Sequence, residues 1–118
     1  MSGKHVEEFV AFRKRMNERI LEHDNQVVRR FFALDTQTYK EGALPAKTKE
    51  MLGLVSSLVL RCDDCIGYHI AECRNAGVTR NEFFEVFSVG LVVGGSIVIP
   101  HLRRAVDFLD ELEGATKA

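Results

Sequence analysis

An all-α fold follows from three features of the sequence. Apolar residues recur at helical spacing along almost the whole chain. Helix start and stop signals punctuate that pattern at regular intervals. Strand signals are weak, because the β-branched runs Val92-Val93 and Ile97-Val98-Ile99 sit between helical flanks.

Six helices account for the pattern. In the first, Val6, Phe9, Val10, Met16, Ile20 and Leu21 follow helical spacing, with Arg13 on the same stripe and charged residues between. The second is expected over about 25–40, with Val27, Val28, Phe31, Phe32 and Leu34 facing inward. Gly42 suits its C-terminal cap, and Pro45 suits the first turn of the next helix. The third spans about 46–60, where Met51, Leu52, Leu54, Val55, Leu58 and Val59 give a broad apolar face. The fourth runs from about Cys62 to Asn75 and stops at Gly77. The fifth has the clearest start: Thr79 and Glu82 fit a capping box, and Val78 with Phe83 fits a hydrophobic staple. It runs to about Gly94, and its Gly90 and Gly94 suit close helix packing. The last spans about 97–112, with Pro100 near its start.

Composition narrows the function classes. The 118 residues carry 46% apolar and 28% charged side chains, as expected of one globular domain over 1–118. Sixteen basic against seventeen acidic residues argue against a general nucleic-acid binder. The pairs Arg29-Arg30 and Arg103-Arg104 read as solvated helix faces. The N-terminal residues lack the apolar stretch of a signal peptide. The longest charge-free run, 86–102, is broken by glycines, Pro100 and His101, so no membrane span is expected. That run, around 90–99, and the helical Phe residues are instead candidates for a subunit interface. Three cysteines, an odd count, point to a reducing cytoplasm rather than a stapled secreted scaffold.

The chemistry is concentrated between Glu50 and Cys73. Cys62 and Cys65 are three apart at a helix start, a spacing that permits a reversible disulfide. Free N–H groups at that helix end favour a thiolate. His69 lies four residues past Cys65, on one helix face with it, where a neutral imidazole can take a thiol proton. If the chain reverses near Arg61, Glu50 is about 16 Å back from the turn and His69 about 12 Å forward. An antiparallel hairpin therefore places the Glu50 carboxylate beside His69, able to orient it and stabilise its charged form.

Zinc is the rival use of these side chains. Cys62, Cys65, His69 and Cys73 are four ligand types, but on one straight helix the outer two are about 16 Å apart. A tetrahedral ion needs sulfur ligands at about 2.3 Å. A site that drew a further ligand from another subunit is left open by this count. Cys73 reads as a packed thiol, and His5, His23 and His101 as surface or capping residues. No metal and no cofactor is expected.

Glu50, eleven residues, Cys62-x-x-Cys65, three residues, His69 resembles the active-site signature of the alkylhydroperoxidase D (AhpD) branch of the carboxymuconolactone decarboxylase family. The flanking stretches 44–50 and 92–96 look similar too, and the resemblance covers about 25–113. It implies a six-helix AhpD-like bundle with the CxxC at the N-terminus of a central helix, assembled as a trimer or hexamer. It implies a thiol peroxidase or disulfide reductase acting on a hydroperoxide or disulfide. Cys65 would attack peroxide and become a sulfenic acid, and Cys62 would condense with it. His69 would be the base and Glu50 its support. A dithiol reductant, in AhpD a lipoyl group on a partner protein, would reopen the disulfide. The chain departs from AhpD at Asp64, where AhpD has a histidine. Asp63 and Asp64 put two negative charges beside the thiols. Members that decarboxylate lactones lack the CxxC, which sets a lyase acting on a small cyclic acid second. A non-catalytic helical oligomer that senses oxidation is the third reading.

Overall fold

The computed structural model describes residues 3–114 and is all-α over that range. Its elements are α1 (Lys4–Glu22), α2 (Gln26–Thr38), α3 (Ala46–Leu60), α4 (Asp63–Asn75), α5 (Arg80–Gly94) and α6 (Ile99–Leu112). A single 3-10 turn, Ser96–Val98, leads into α6. No helix among the described residues is long and apolar enough to cross a membrane.

The centre is the α3–α4 hairpin. α5 packs on α3, α6 packs on α4, and α1 lies along α6. Leu54 and Leu58 of α3 meet Ile66 and Ile70 of α4, Phe83 and Phe87 of α5, and Phe108 and Leu109 of α6 in one buried cluster. Phe83 and Phe87 bury the largest rings, and aromatic side chains of this size dominate the apolar area removed from water. α5 approaches α3 closely because Gly90 lies against Leu58 and Gly94 against Val59. A Cβ at Gly90 would come within 3.3 Å of the Leu58 side chain.

Local chemistry sets the helix ends. The Thr79 hydroxyl accepts from the Glu82 N–H, and the Glu82 carboxylate accepts from the Thr79 N–H. Both halves of the capping box are therefore present, and Val78 and Phe83 beside it are buried. α3 ends in a Schellman-like turn: Arg61 N–H donates to the Leu58 carbonyl, and Cys62 N–H to that of Ser57. Arg61 occupies the left-handed region at φ 60°, which costs a non-glycine residue about 1 kcal/mol. The chain reverses there, and Cys62 becomes the N-cap of α4 rather than its first helical residue.

α2 departs from expectation. It contributes no buried residue, and Val27, Phe31 and Leu34 are exposed rather than inward-facing, with Val28 and Phe32 half-buried. Helical periodicity identifies an apolar stripe but not the surface that covers it. Gly42 does not cap this helix, which ends earlier at Thr38 with Tyr39 as C-cap. The Lys49 ammonium of α3 takes its terminal carbonyls instead, donating to Thr38 and Lys40. Such a cation also suits the negative end of the helix. The basic pairs are exposed on helices, as expected, and two of their members also make contacts: Arg29 donates to the Leu21 carbonyl at the end of α1, and Arg104 pairs with Asp63.

Replacing Thr79 by Ala removes half of the capping box. We expect a loss of roughly 1 kcal/mol, seen as a lower urea midpoint at unchanged slope.

Candidate active site

The hairpin turn places three functional groups on one side of the molecule. α3 supplies Glu50 near its start, α4 supplies His69 two turns in, and the turn between them supplies the cysteines. His69 Nδ1 and Glu50 Oε1 are 2.9 Å apart, and both residues are buried. The carboxylate thus meets the imidazole, as the rise of two antiparallel helices requires. The ring lies flat against α3 at Gly53. A Cβ there would sit 2.6–2.9 Å from three ring atoms, so this position admits glycine alone. Tyr39 and Tyr68 enclose the imidazole at ring-centroid distances of 5.3 and 5.0 Å.

Cys62 and Cys65 are joined by a disulfide across the first turn of α4, with Cα atoms 5.3 Å apart. As N-cap, Cys62 Sγ accepts from the Cys65 N–H at 3.2 Å. Cys62 is half-buried and Cys65 is exposed. Cys65 and His69 line one cavity of about 430 Å³ with Phe31, Phe32, Asp35 and Tyr68. The guanidinium of Arg13, at the same cavity, stacks 3.8 Å above the Tyr68 ring. One imidazole nitrogen is engaged by Glu50, which leaves the other for a proton partner.

Burial pushes the Glu50 carboxyl above its usual range, and the His69 hydrogen bond only partly offsets this. The charges of Glu72 and Asp35 add to the rise. Cys73 stands apart from the dithiol. It is fully buried in the core, and burial, reinforced by Glu50 and Glu72, pushes its thiol up to about 12. A thiol so held is a packing group and neither a nucleophile nor a ready metal ligand. Among the described residues no three His, Cys, Asp or Glu side chains cluster as a metal site.

The two acids after Cys62 separate. Asp64 lines the Cys65 cavity and also borders the groove of Asp63 and Arg104, whereas Asp63 alone pairs with His101 and Arg104 of α6. His101 is thus a partner of the turn that carries the cysteines, not a bare surface or capping histidine. Sequence reasoning did not single out Gly53, Tyr39, Tyr68, Arg13 or Asp35. Gly53 had one available signal, its place one turn after Glu50 on α3.

The raised Glu50 titration has a pH signature. From pH 4.5 upward the unfolded carboxyl gives up its proton while the folded one still holds it. The native state then binds more protons, so this group's contribution to stability falls as pH rises through that window. Glu50→Gln cannot ionise, and urea unfolding between pH 4.5 and neutrality should show a flatter stability profile than the parent.

Comparison with known proteins matches this architecture. Two crystal structures of one Thermotoga maritima protein superpose with TM-scores of 0.88 and 0.85, at 53% and 50% identity. They cover 93% and 94% of this chain, and 96% and 98% of the other. One of them is described as a carboxymuconolactone decarboxylase family protein with a suggested involvement in antioxidative response. A Legionella pneumophila protein of the same family shares the fold at TM-score 0.80 and 23% identity, over 98% of this chain and all of its own. "Uncharacterized protein 4 in cox locus" of Paracoccus denitrificans is 29% identical over 85 residues, 72% of this chain and 77% of its own. The model of the carboxymuconolactone decarboxylase family matches residues 25–108, which hold α2 to α5, the hairpin turn and most of α6. On that span and that shared architecture, this chain belongs to the carboxymuconolactone decarboxylase family.

Proposed function

We propose that the protein is a cytoplasmic, AhpD-like dithiol oxidoreductase that reduces hydroperoxides or disulfides. One observation carries the reading: the exposed Cys65, already paired with Cys62, shares a cavity with an imidazole backed by a buried carboxylate. An antioxidative role suggested for the Thermotoga maritima relative agrees with it.

The reaction runs on these groups. Cys65 thiolate attacks one peroxide oxygen, the O–O bond breaks, and the alcohol leaves with a proton supplied through His69. Cys65 is now a sulfenic acid. Cys62 thiolate attacks the Cys65 sulfur, the S–S bond forms, and hydroxide leaves as water after taking a proton. An external dithiol, such as a lipoyl group on a partner protein, then reduces the disulfide by thiol–disulfide exchange. Glu50 holds the imidazole in one tautomer and stabilises its charged form, as in other carboxylate–histidine–nucleophile sites. The lyase alternative finds less support. A small cyclic acid calls for a basic pocket, and here Arg13 faces both Asp35 and Asp64.

The reading includes a homo-oligomer, a trimer or a hexamer. Val27 and Phe31 of α2 are 73% and 66% exposed, and Val92 and Val93 of α5 are 85% and 67% exposed. Large apolar side chains exposed in this way support that part of the reading. Sedimentation should find an assembly larger than a monomer, and Phe31→Glu with Val92→Glu should dissociate it. A parent that sediments as a monomer would reject the oligomer.

The chemistry is tested by mass spectrometry of the reduced protein after one equivalent of hydroperoxide. Wild type should lose two hydrogens at Cys62–Cys65, and Cys62→Ser should trap a sulfenic acid at Cys65. His69→Gln should slow the first step about 100-fold, the usual contribution of a positioned acid–base group. Thiols that stay reduced while peroxide survives would sink the peroxidase reading.

A further inference from the structure

The proposed reaction uses Cys65, Cys62, His69 and Glu50, but a second group of charges at the same turn has no part in it. Asp63 is the first residue of α4, directly after Cys62. Its two oxygens are divided between two side chains of α6. His101 Nδ1 lies 2.8 Å from Oδ1, and Arg104 Nη1 lies 3.3 Å from Oδ2. His101 is largely covered, at 20% side-chain exposure, whereas Asp63 is half-exposed. Neither His101 nor Arg104 lines the cavity that holds Cys65.

The charged groups around this turn come from the turn itself and from four helices, and Arg61 directly precedes Cys62. Asp63 and Asp64 come from α4, and His101 and Arg104 from α6. His5 of α1 lines a groove of about 250 Å³ with Asp63, Asp64 and Arg104. Asp35 of α2 faces the opposite side, with Asp64 and Cys65. A carboxylate next to a thiol disfavours its ionisation by like-charge repulsion. A carboxylate held by two donors, at least one of them cationic, projects much less of that repulsion. Asp63, so divided between His101 and Arg104, directly follows Cys62, whose thiolate attacks the Cys65 sulfenic acid in the proposed reaction.

We infer that His101 and Arg104, by holding Asp63, are positioning residues that keep Cys62 ionisable and so set the rate at which the disulfide closes. The inference deepens the proposed redox reaction and rests on it for its purpose, but its primary readout requires no peroxide.

The experiment uses the full chain carrying Cys65→Ser, so that Cys62 is the accessible thiol. Its ionisation is followed by thiolate absorbance and by the pH dependence of iodoacetamide alkylation. His101→Ala with Arg104→Ala should raise the Cys62 midpoint by about half to one pH unit, cutting alkylation at pH 7 roughly three- to tenfold. Should that pair not fold, either single substitution carries the same sign at smaller amplitude. Asp63→Ala separates electrostatics from a mere tether, because it cuts the same contacts while removing the charge. It should lower the midpoint. A midpoint that stays put in the α6 variants, or that rises in Asp63→Ala as well, overturns the inference. In the two-cysteine protein, the α6 variants should lengthen the life of the Cys65 sulfenic acid without slowing its formation. If no sulfenic acid forms even in the parent, the redox reading fails, while the Cys62 midpoints still decide whether His101 and Arg104 act on the thiol.

Discussion

Everything at the candidate site depends on the reversal of the chain at Arg61. A left-handed residue there stops α3, lets the Arg61 and Cys62 N–H groups donate to its last carbonyls and starts α4 on a cysteine. Without that reversal Glu50 and His69 would be far apart on a continuing rod. With it they form a buried hydrogen bond between two helices packed through Leu54, Leu58, Ile66 and Ile70. The packing and the polar pair support each other. A carboxylate and an imidazole are costly to bury singly, and hydrogen bonding offsets much of that cost only while the helices stay in register. Gly53 enforces the same register from the other side, because any side chain there would displace the imidazole.

The first turn of α4 has two distinct sides. One holds Cys65 and Asp64 at a cavity walled by α1 and α2, with the imidazole behind it. The other holds Asp63 against α6. The two acids that look equivalent in sequence thus have different surroundings. One remains near the Cys65 sulfur, and the other is held by a histidine 38 residues later and an arginine 41 residues later. Helical geometry explains the split, since consecutive residues point about 100° apart around the axis.

These contrasts show which features sequence makes legible. The α3–α4 hairpin, the capping box at Thr79 and the Glu50–His69 contact all follow from short-range spacing plus one reversal, and helix geometry converts spacing into distance. The Asp63–His101 pair joins residues thirty-eight apart through the packing angle of α6, which no local pattern encodes. Tyr39 reaches His69 by the same kind of distant packing, from the end of α2, whereas Tyr68 simply adjoins it in the chain. α2 shows the limit most plainly. Its apolar spacing is as regular as that of a core helix, yet Val27, Phe31 and Leu34 face outward.

That outward face bears on the site itself. Phe31 and Phe32 wall the Cys65 cavity, and they belong to the helix with the least internal packing. What ties α2 down is polar and terminal: Arg29 on the end of α1, and Lys49 on its own last carbonyls. Exposed contacts of this kind are worth little individually. The Glu50–His69 pair and the dithiol therefore rest on the α3–α4 hairpin, while the Phe31–Phe32 wall of their cavity rests on a helix whose apolar stripe is uncovered. A surface that covered Val27 and Leu34 would fix the position of Phe31 and Phe32 as well. Cavity shape would then follow whatever covers that helix, while the Glu50–His69 hydrogen bond is made by side chains of α3 and α4 alone.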